Sequence, residues 1–313
     1  MLRVGNKLSL YFREFLRDVS IDKKEEYSLK GYYLLHSEEL WGITTNELPK
    51  KFSLDNNNVL VTQYNQPIYK QYNPAYIAYY GLINYNRYLE TKTNIFLERF
   101  LASITWIQSN AISHVHDTIQ CQKWTYQFDW ENGDSKLLKG WSSSMAQGLI
   151  SSLLIRGYFY SEDEYLLIMA KEAVNLYKVN IEDGGVKARY KEYEYYEEYP
   201  SYPLSMVLDG ALFALIGVYE VSELDSSYKK ILKKGLLFIE NNFFNIWNYH
   251  NIWTKYGIFS NTQYLSTNGY HQLNLVLLDF FIAKNLLTIK KINTSNKYFI
   301  SIINIIKIVK GKI

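Results

Sequence analysis

The chain has 313 residues, enough for a substantial core, and its 48% apolar and 21% charged residues are those of a globular protein rather than a disordered one. A formal net charge of +3 is too small to point to nucleic acid, and a single cysteine, Cys121, excludes an internal disulfide. The opening MLRVGNKLSLYFREF lacks the apolar run of a secretory signal, and no stretch reaches membrane-spanning length, so a soluble cytoplasmic protein is expected.

Residues 1–65 are mixed and turn-rich. DNNN followed by VLVTQY reads as a turn and a strand, so this part is expected to form an N-terminal segment with short β elements, ahead of a helical domain over 66–313. From residue 75 onward one pattern recurs: an apolar helix, a short polar turn, then an amphipathic helix. The first pair covers 75–107, where Leu97, Phe100, Leu101 and Ile104 form the i, i+3, i+4, i+7 stripe. The second covers 143–177, with Ser161 to Glu164 reading as a capping box before a stripe of Leu166, Met169, Ala170 and Ala173. The third pair is LSMVLDGALFALIGVYEV and SSYKKILKKGLLFIENNF. The fourth begins at YHQLNLVLLDFFIAKNLL and ends in YFISIINIIKIV.

Residues 207–219 and 273–283 are apolar nearly all round, and a helix without a polar face must be covered on every side. Fully buried helices alternating with half-solvated ones, with starts roughly 60 to 70 residues apart, predict two concentric rings, a mainly α fold of the α/α-barrel (toroid) type with about four helical hairpins. An irregular helical bundle would give the same periodicity. Two long connections, about 109–141 and 179–203, interrupt the helices, and long loops in a compact domain tend to be functional.

Tyrosine is unusually frequent, 30 residues within an aromatic content of 17%. Its flat apolar face and hydroxyl suit sugar rings, although a biased genome composition raises tyrosine equally well. No phosphate loop, cysteine pair or nucleophile elbow occurs. His114, His116 and Asp117 alternate as on a strand, but no further ligand stands at metal-binding spacing, so no metal is expected. After Lys284 and including it there are seven lysines and no acidic residue. That is the basic face of a last helix, or else a weak attachment to an anionic membrane surface.

Four stretches together resemble one family. YNPAYIAYYGLINYNRYLET (72–91), LLKGWSSSMAQGLISSLLIRGY (137–158), YYEEYPSYPLSMVLDGALFALIGVYE (195–220) and YHQLNLVLL (270–278) look like the C-terminal helical domain of the D-glucuronyl C5-epimerases, over about residues 65–290. The resemblance implies an isomerase that converts D-glucuronate to L-iduronate within a heparosan or heparan-sulfate type polysaccharide, such as a capsule polymer, with no cofactor and with a homodimer as its assembly. The long β domains of animal members have no counterpart of comparable length in this chain.

The chemistry asks for two acid/base groups on opposite faces of the ring and for neutralisation of the substrate carboxylate. By the resemblance, Glu198, the second glutamate of EEYP, matches the catalytic carboxylate, and Tyr270 is the opposite-face acid. A further tyrosine is expected upstream, where a gapless reading of NIWTKYGIF puts Trp253; Tyr256 reaches that place only if the loop shifts. Tyr79 stands where members often have glutamine, and Asp209 where they often have asparagine, departures that would alter substrate choice. Arg156 is the favoured grip on the uronate carboxylate, since a guanidinium holds one bidentately; a pairing with the acidic cluster 162–164 is the other reading. Lys139 and Lys255 are further cationic candidates. Trp141, Trp253 and Tyr199 suit sugar stacking, and Gln147 and His271 suit polar contacts to substrate. Glu197 reads as a bystander. A lyase, which begins with the same proton abstraction, and a non-catalytic glycan-binding module remain the rival readings.

Overall fold

The computed structural model describes residues 21, 26–35, 43, 45, 47–133, 135–259 and 262–289. Seven helices organise it: α1 (Pro74–Thr91), α2 (Asn94–Ser109), α3 (Ser144–Ser161), α4 (Glu164–Asn175), α5 (Leu208–Leu224), α6 (Lys229–Ile246) and α7 (Asn268–Ala283). They fall into the expected pairs. The partner expected for α7, around 298–309, lies outside the described residues, as does most of the lysine-rich tail.

The first helix of each pair packs on the next, α1 on α3, α3 on α5 and α5 on α7, while α2, α4 and α6 lie against their own partners. The burial follows the sequence pattern. Every residue of α3 from Ser144 to Gly157 is buried, and α5 is buried on all sides from Leu208 to Val218, whereas α4 buries only one stripe. α3 and α5 approach so closely that a Cβ on Gly217 would lie 2.3 Å from the Gly148 carbonyl oxygen, so only glycines permit this crossing.

Caps set the helix starts. Asn73 precedes Pro74 and accepts from the Tyr76 N–H at 3.1 Å, and Ser143 caps α3 through the Ala146 N–H. The cap of α4 is Asp163, which accepts from the Tyr165 N–H at 3.0 Å, and not Ser161 as the capping-box spacing suggested. Ser161 still belongs to α3, and its hydroxyl turns back to the Gly157 carbonyl.

The turn and strand read at DNNN–VLVTQY are present. Leu60–Gln63 pairs antiparallel with Phe52–Leu54 and with Lys70–Gln71 in a three-stranded sheet, and Asp55 organises the turn by accepting from the N–H groups of Asn57 and Val59. The long connections are short hairpins rather than irregular loops. Ile112–His116 pairs with Ile119–Lys123, Trp130–Asn132 with Ser135–Leu137, and Lys187–Tyr190 with Tyr193–Tyr196. No described helix is long and apolar enough to cross a membrane.

One buried ion pair fastens the N-terminal segment to the helices. Arg156 of α3 makes a two-pronged contact with Glu220 of α5 at 3.0 and 3.1 Å, with both side chains fully buried. The guanidinium also donates to the carbonyls of Ser152, Ser28 and Tyr32, and the Tyr27 hydroxyl donates to Glu220. Arg156→Ala would strand Glu220 without its counter-charge, and urea denaturation is expected to show a loss of about 3–5 kcal/mol. A variant as stable as the parent would mean that the pair holds nothing together.

Candidate active site

Tyr193–Tyr196 delivers two successive carboxylates into different surroundings. The Glu197 carboxylate accepts from the Met206 N–H at 3.0 Å and the Ser205 hydroxyl at 2.9 Å, and its own backbone is fixed to Val186 and Ser144. These bonds partly offset a burial that raises its pKa to about 7. Glu197 is thus a clamp that shapes the approach to α5, not a bystander. Met206 is held in left-handed backbone geometry (φ 48°) by this bond and by the Trp247 indole, which donates to its carbonyl at 2.7 Å.

Glu198 turns the other way, onto the first turn of α5. Its Oε2 lies 2.2 Å from where a Cβ of Gly210 would sit, so the carboxylate rests directly on bare backbone. That oxygen is buried and has no hydrogen-bond partner, and the same holds for Oδ1 of the neighbouring Asp209. Burial raises the Glu198 pKa well above the usual carboxylate range, the Asp209 charge pushes it the same way, and a hydrogen bond from Tyr199 opposes the shift. Asp209 is raised to about 7 by burial, against the opposing pull of the backbone N–H groups at the start of α5.

Around Glu198 the walls are aromatic. Tyr64, Tyr76, Tyr126, Trp141 and Tyr199 line the pocket with Asn73 and Met145. Trp141 lies flat on Tyr126 with centroids 3.9 Å apart, its indole donates to the Phe128 carbonyl, and it stands 5.9 Å from the Tyr199 ring. Burial raises the pKa of Tyr76, Tyr126 and Tyr199, so these phenols stay neutral.

The stretch NIWTKYGIF forms a bulged strand. Trp253–Phe259 pairs with Thr262–Leu265, and the register slips between Lys255 (opposite Leu265) and Gly257 (opposite Tyr264). The extra residue is Tyr256. Such a bulge re-aims a side chain, and the Tyr256 ring meets Tyr270 of α7 edge-on at 5.0 Å. The charge of Glu198 and the rings of Tyr199 and Tyr270 all act on Tyr256, whose pKa burial raises. Tyr270 occupies the first turn of α7, whose cap is Thr267. Glu198, Tyr199, Tyr256 and Tyr270 are therefore brought together.

Other expected residues stand elsewhere. Trp253 is buried, donates to the Ser266 carbonyl and stacks on His271 at 3.8 Å, so it props the strand instead of facing the pocket. His271 Nδ1 accepts from the Thr254 N–H, and burial lowers its pKa to about 4, which leaves a neutral ring inside the protein. Gln147 is fully buried. It accepts from the Trp124 N–H and donates to the carbonyls of Gln122 and Ala173, a packing role. Tyr79 is fully buried in α1. Arg156 faces Glu220 rather than the pocket or the 162–164 cluster. Lys139 is exposed on a turn, and Lys255 is buried beside the bulge. His116 lies 3.6 Å from Asp117 and 3.8 Å from Asp183, and no group of three or more metal-ligand side chains gathers among the described residues. The sequence reading missed Tyr64, Asn73, Tyr76 and Tyr126 as pocket walls; the Asn-Pro start of α1 was the signal that this end of the helix is fixed in place.

Comparison with known proteins adds four findings. Residues 116–301 match the family described as D-glucuronyl C5-epimerase C-terminus. A D-glucuronyl C5-epimerase of Caenorhabditis elegans is 40% identical over 104 residues, which are 33% of this chain and 17% of that protein. An uncharacterized protein of Methanocaldococcus jannaschii is 26% identical over 189 residues, 53% of this chain and 59% of its own length. The chain therefore spans less than two thirds of either relative. Among solved structures, an endo-β-1,4-glucanase from Acetobacter xylinum gives a TM-score of 0.47 at 10% identity, covering 75% of this chain and 70% of that one, a likeness too loose to assign a fold.

Proposed function

The chain belongs to the D-glucuronyl C5-epimerase family, and on that premise we propose that it inverts C5 of D-glucuronate to L-iduronate within a heparosan-like polysaccharide. The observation that carries the reading is the Glu198 carboxylate: buried, with one oxygen unpartnered, in a pocket lined by four tyrosines. In this reading the row α1, α3, α5, α7 is the inner wall of an α/α toroid, and the polymer lies across its open end.

Glu198 acts as base. It takes the C5 proton, the electron pair moves into the substrate carboxylate to give an enediolate, and a tyrosine hydroxyl returns a proton to the opposite face. Tyr270 is that donor, with Tyr256 against it able to share the resulting charge. Desolvation gives Glu198 its basicity, and the same burial raises the pKa of Tyr256 beside Tyr270, which keeps that phenol neutral. Since Arg156 is engaged by Glu220, neutralising the uronate falls to the tyrosine hydroxyls around Glu198.

The test is incubation with heparosan, or its N-sulfated form, in deuterated water. Deuterium at C5, intact chains and new L-iduronate are expected. An unsaturated chain end would replace the reading by a lyase, and binding without exchange would replace it by a glycan-binding module.

Asp209 sets the pH response. Asp209→Asn removes a like charge from Glu198, so the acid limb of kcat/KM is expected to move to lower pH. The folded-state pKa of Asp209 lies above its ordinary 3.8, at about 7. The folded form thus holds a proton that the unfolded chain releases, and stability falls as pH rises between those values. Asp209→Asn should flatten that decline in a melting series. An unmoved acid limb together with an unchanged slope would refute the role.

A further inference from the structure

A second aromatic feature stands outside the pocket. Tyr72 is 40% exposed, and its ring leans on Trp106 of α2 with centroids 5.5 Å apart at 35°. The Tyr72 hydroxyl is fixed by a 2.8 Å bond to Asp55, so the ring is held upright as a ridge rather than free to swing. Two hollows flank it, of about 350 and 620 Å³, and the rings of Tyr72 and Trp106 line both.

The rest of the lining carries no charge except one carboxylate: amides and hydroxyls alternate with the small apolar surfaces of Val59, Ala102, Ala111 and Ile112. Gln71, Asn110 and Gln127 border one hollow, and Asn57, Asn58 and Thr105 the other. Amides and hydroxyls beside a partly exposed aromatic pair match the hydroxyl rim and the C–H face of a pyranose. Neither lining includes lysine or arginine, and Asp55 faces the ridge. An anionic sugar would meet a like charge there with nothing to offset it.

The hollows are also adjacent to the pocket along the chain. Tyr72 belongs to the ridge, and the next residue, Asn73, to the pocket. Thr125 and Gln127 line the hollow, while Tyr126 and Phe128 between and beside them line the pocket. One stretch of backbone is thus a shared wall.

We propose that the Tyr72–Trp106 ridge is an accessory subsite for an uncharged sugar residue, the N-acylated hexosamine of the polymer whose uronate occupies the Glu198 pocket. This rests on the polysaccharide reading given above. A site that stacks neutral hexosamine and repels anions holds the polymer in the alternation that its repeat demands, and it discriminates against N-sulfated stretches.

Equilibrium binding tests it without turnover. With heparosan polymer as probe, Tyr72→Ala is expected to weaken the Kd about 3- to 10-fold, the effect of one lost stacking contact. Ser109→Trp, at an exposed position lining both hollows, should weaken it similarly by filling them. Free glucuronic acid, a single uronate that fills the pocket alone, should bind both variants as it binds the parent. N-sulfated heparosan should bind the parent more weakly than heparosan, and the variants should lose that preference. Unchanged polymer Kd in both variants overturns the proposal, as does equal loss for polymer and free glucuronic acid. The same series in a Glu198→Gln background keeps the two readings apart, because it shifts with the ridge whether or not Glu198 is the base.

Discussion

Glu198→Gln is expected to reduce C5–hydrogen exchange by about 10²- to 10⁴-fold, the range lost when a positioned general base is removed. The amide preserves shape but cannot take a proton. What distinguishes this from damage to the fold is the sign of the accompanying stability change. The parent carboxylate is buried, one oxygen has no partner, and Asp209 lies beside it. A neutral amide is easier to bury in that position, so the melting temperature should stay level or rise. Polymer binding should hold or tighten, since a negative charge facing an anionic substrate has gone. Exchange within tenfold of the parent, measured in deuterated water, would remove Glu198 from the mechanism.

Gly210→Ala is the second large effect, and it runs against ordinary expectation. An alanine inside a helix normally stabilises it by about 0.5–1 kcal/mol relative to glycine. Here the new methyl would stand 2.2 Å from Oε2 and 2.8 Å from Cβ of Glu198, so the carboxylate has to leave its place. A displacement on the order of 1 Å at the reacting group lowers the rate by about 100-fold. Melting should register a lower stability as well. The cause can be isolated by pairing: in a Glu198→Gly background the same substitution meets neither carboxylate nor Cβ, and the helix-propensity gain should reappear. A Gly210→Ala enzyme with the rate and stability of the parent would show that the contact is soft.

Helix pairing was legible because its cause is local. Stripes at 3.6-residue spacing along 94–109 and 164–175, and the lack of a polar face in α5, follow from which sides are covered, and each can be read within one segment. Glu198 could be singled out for a similar reason, since its motif is contiguous. Arg156 could not be placed that way: its partner, Glu220, is 64 positions along the chain, and nothing near Arg156 distinguishes a structural guanidinium from a ligand-binding one. Gln147 is the same case, engaged by backbone at 122, 124 and 173. Asp209 stood out only as a departure from a motif; its influence on Glu198 arises because the turn at 199–207 folds the chain back on itself.

The bulge at Tyr256 has a consequence for how such strands are compared. On a regular strand, a side chain's face is fixed by whether its number is odd or even, and a one-residue offset exchanges inside for outside. The bulge breaks that parity at one point. Residues before it and after it follow opposite parities, so an odd-or-even count carried through the strand from Trp253 mistakes the facing of everything beyond Lys255. In this sheet the side of the bulge on which a residue falls decides its face, and a count of faces has to restart at Tyr256.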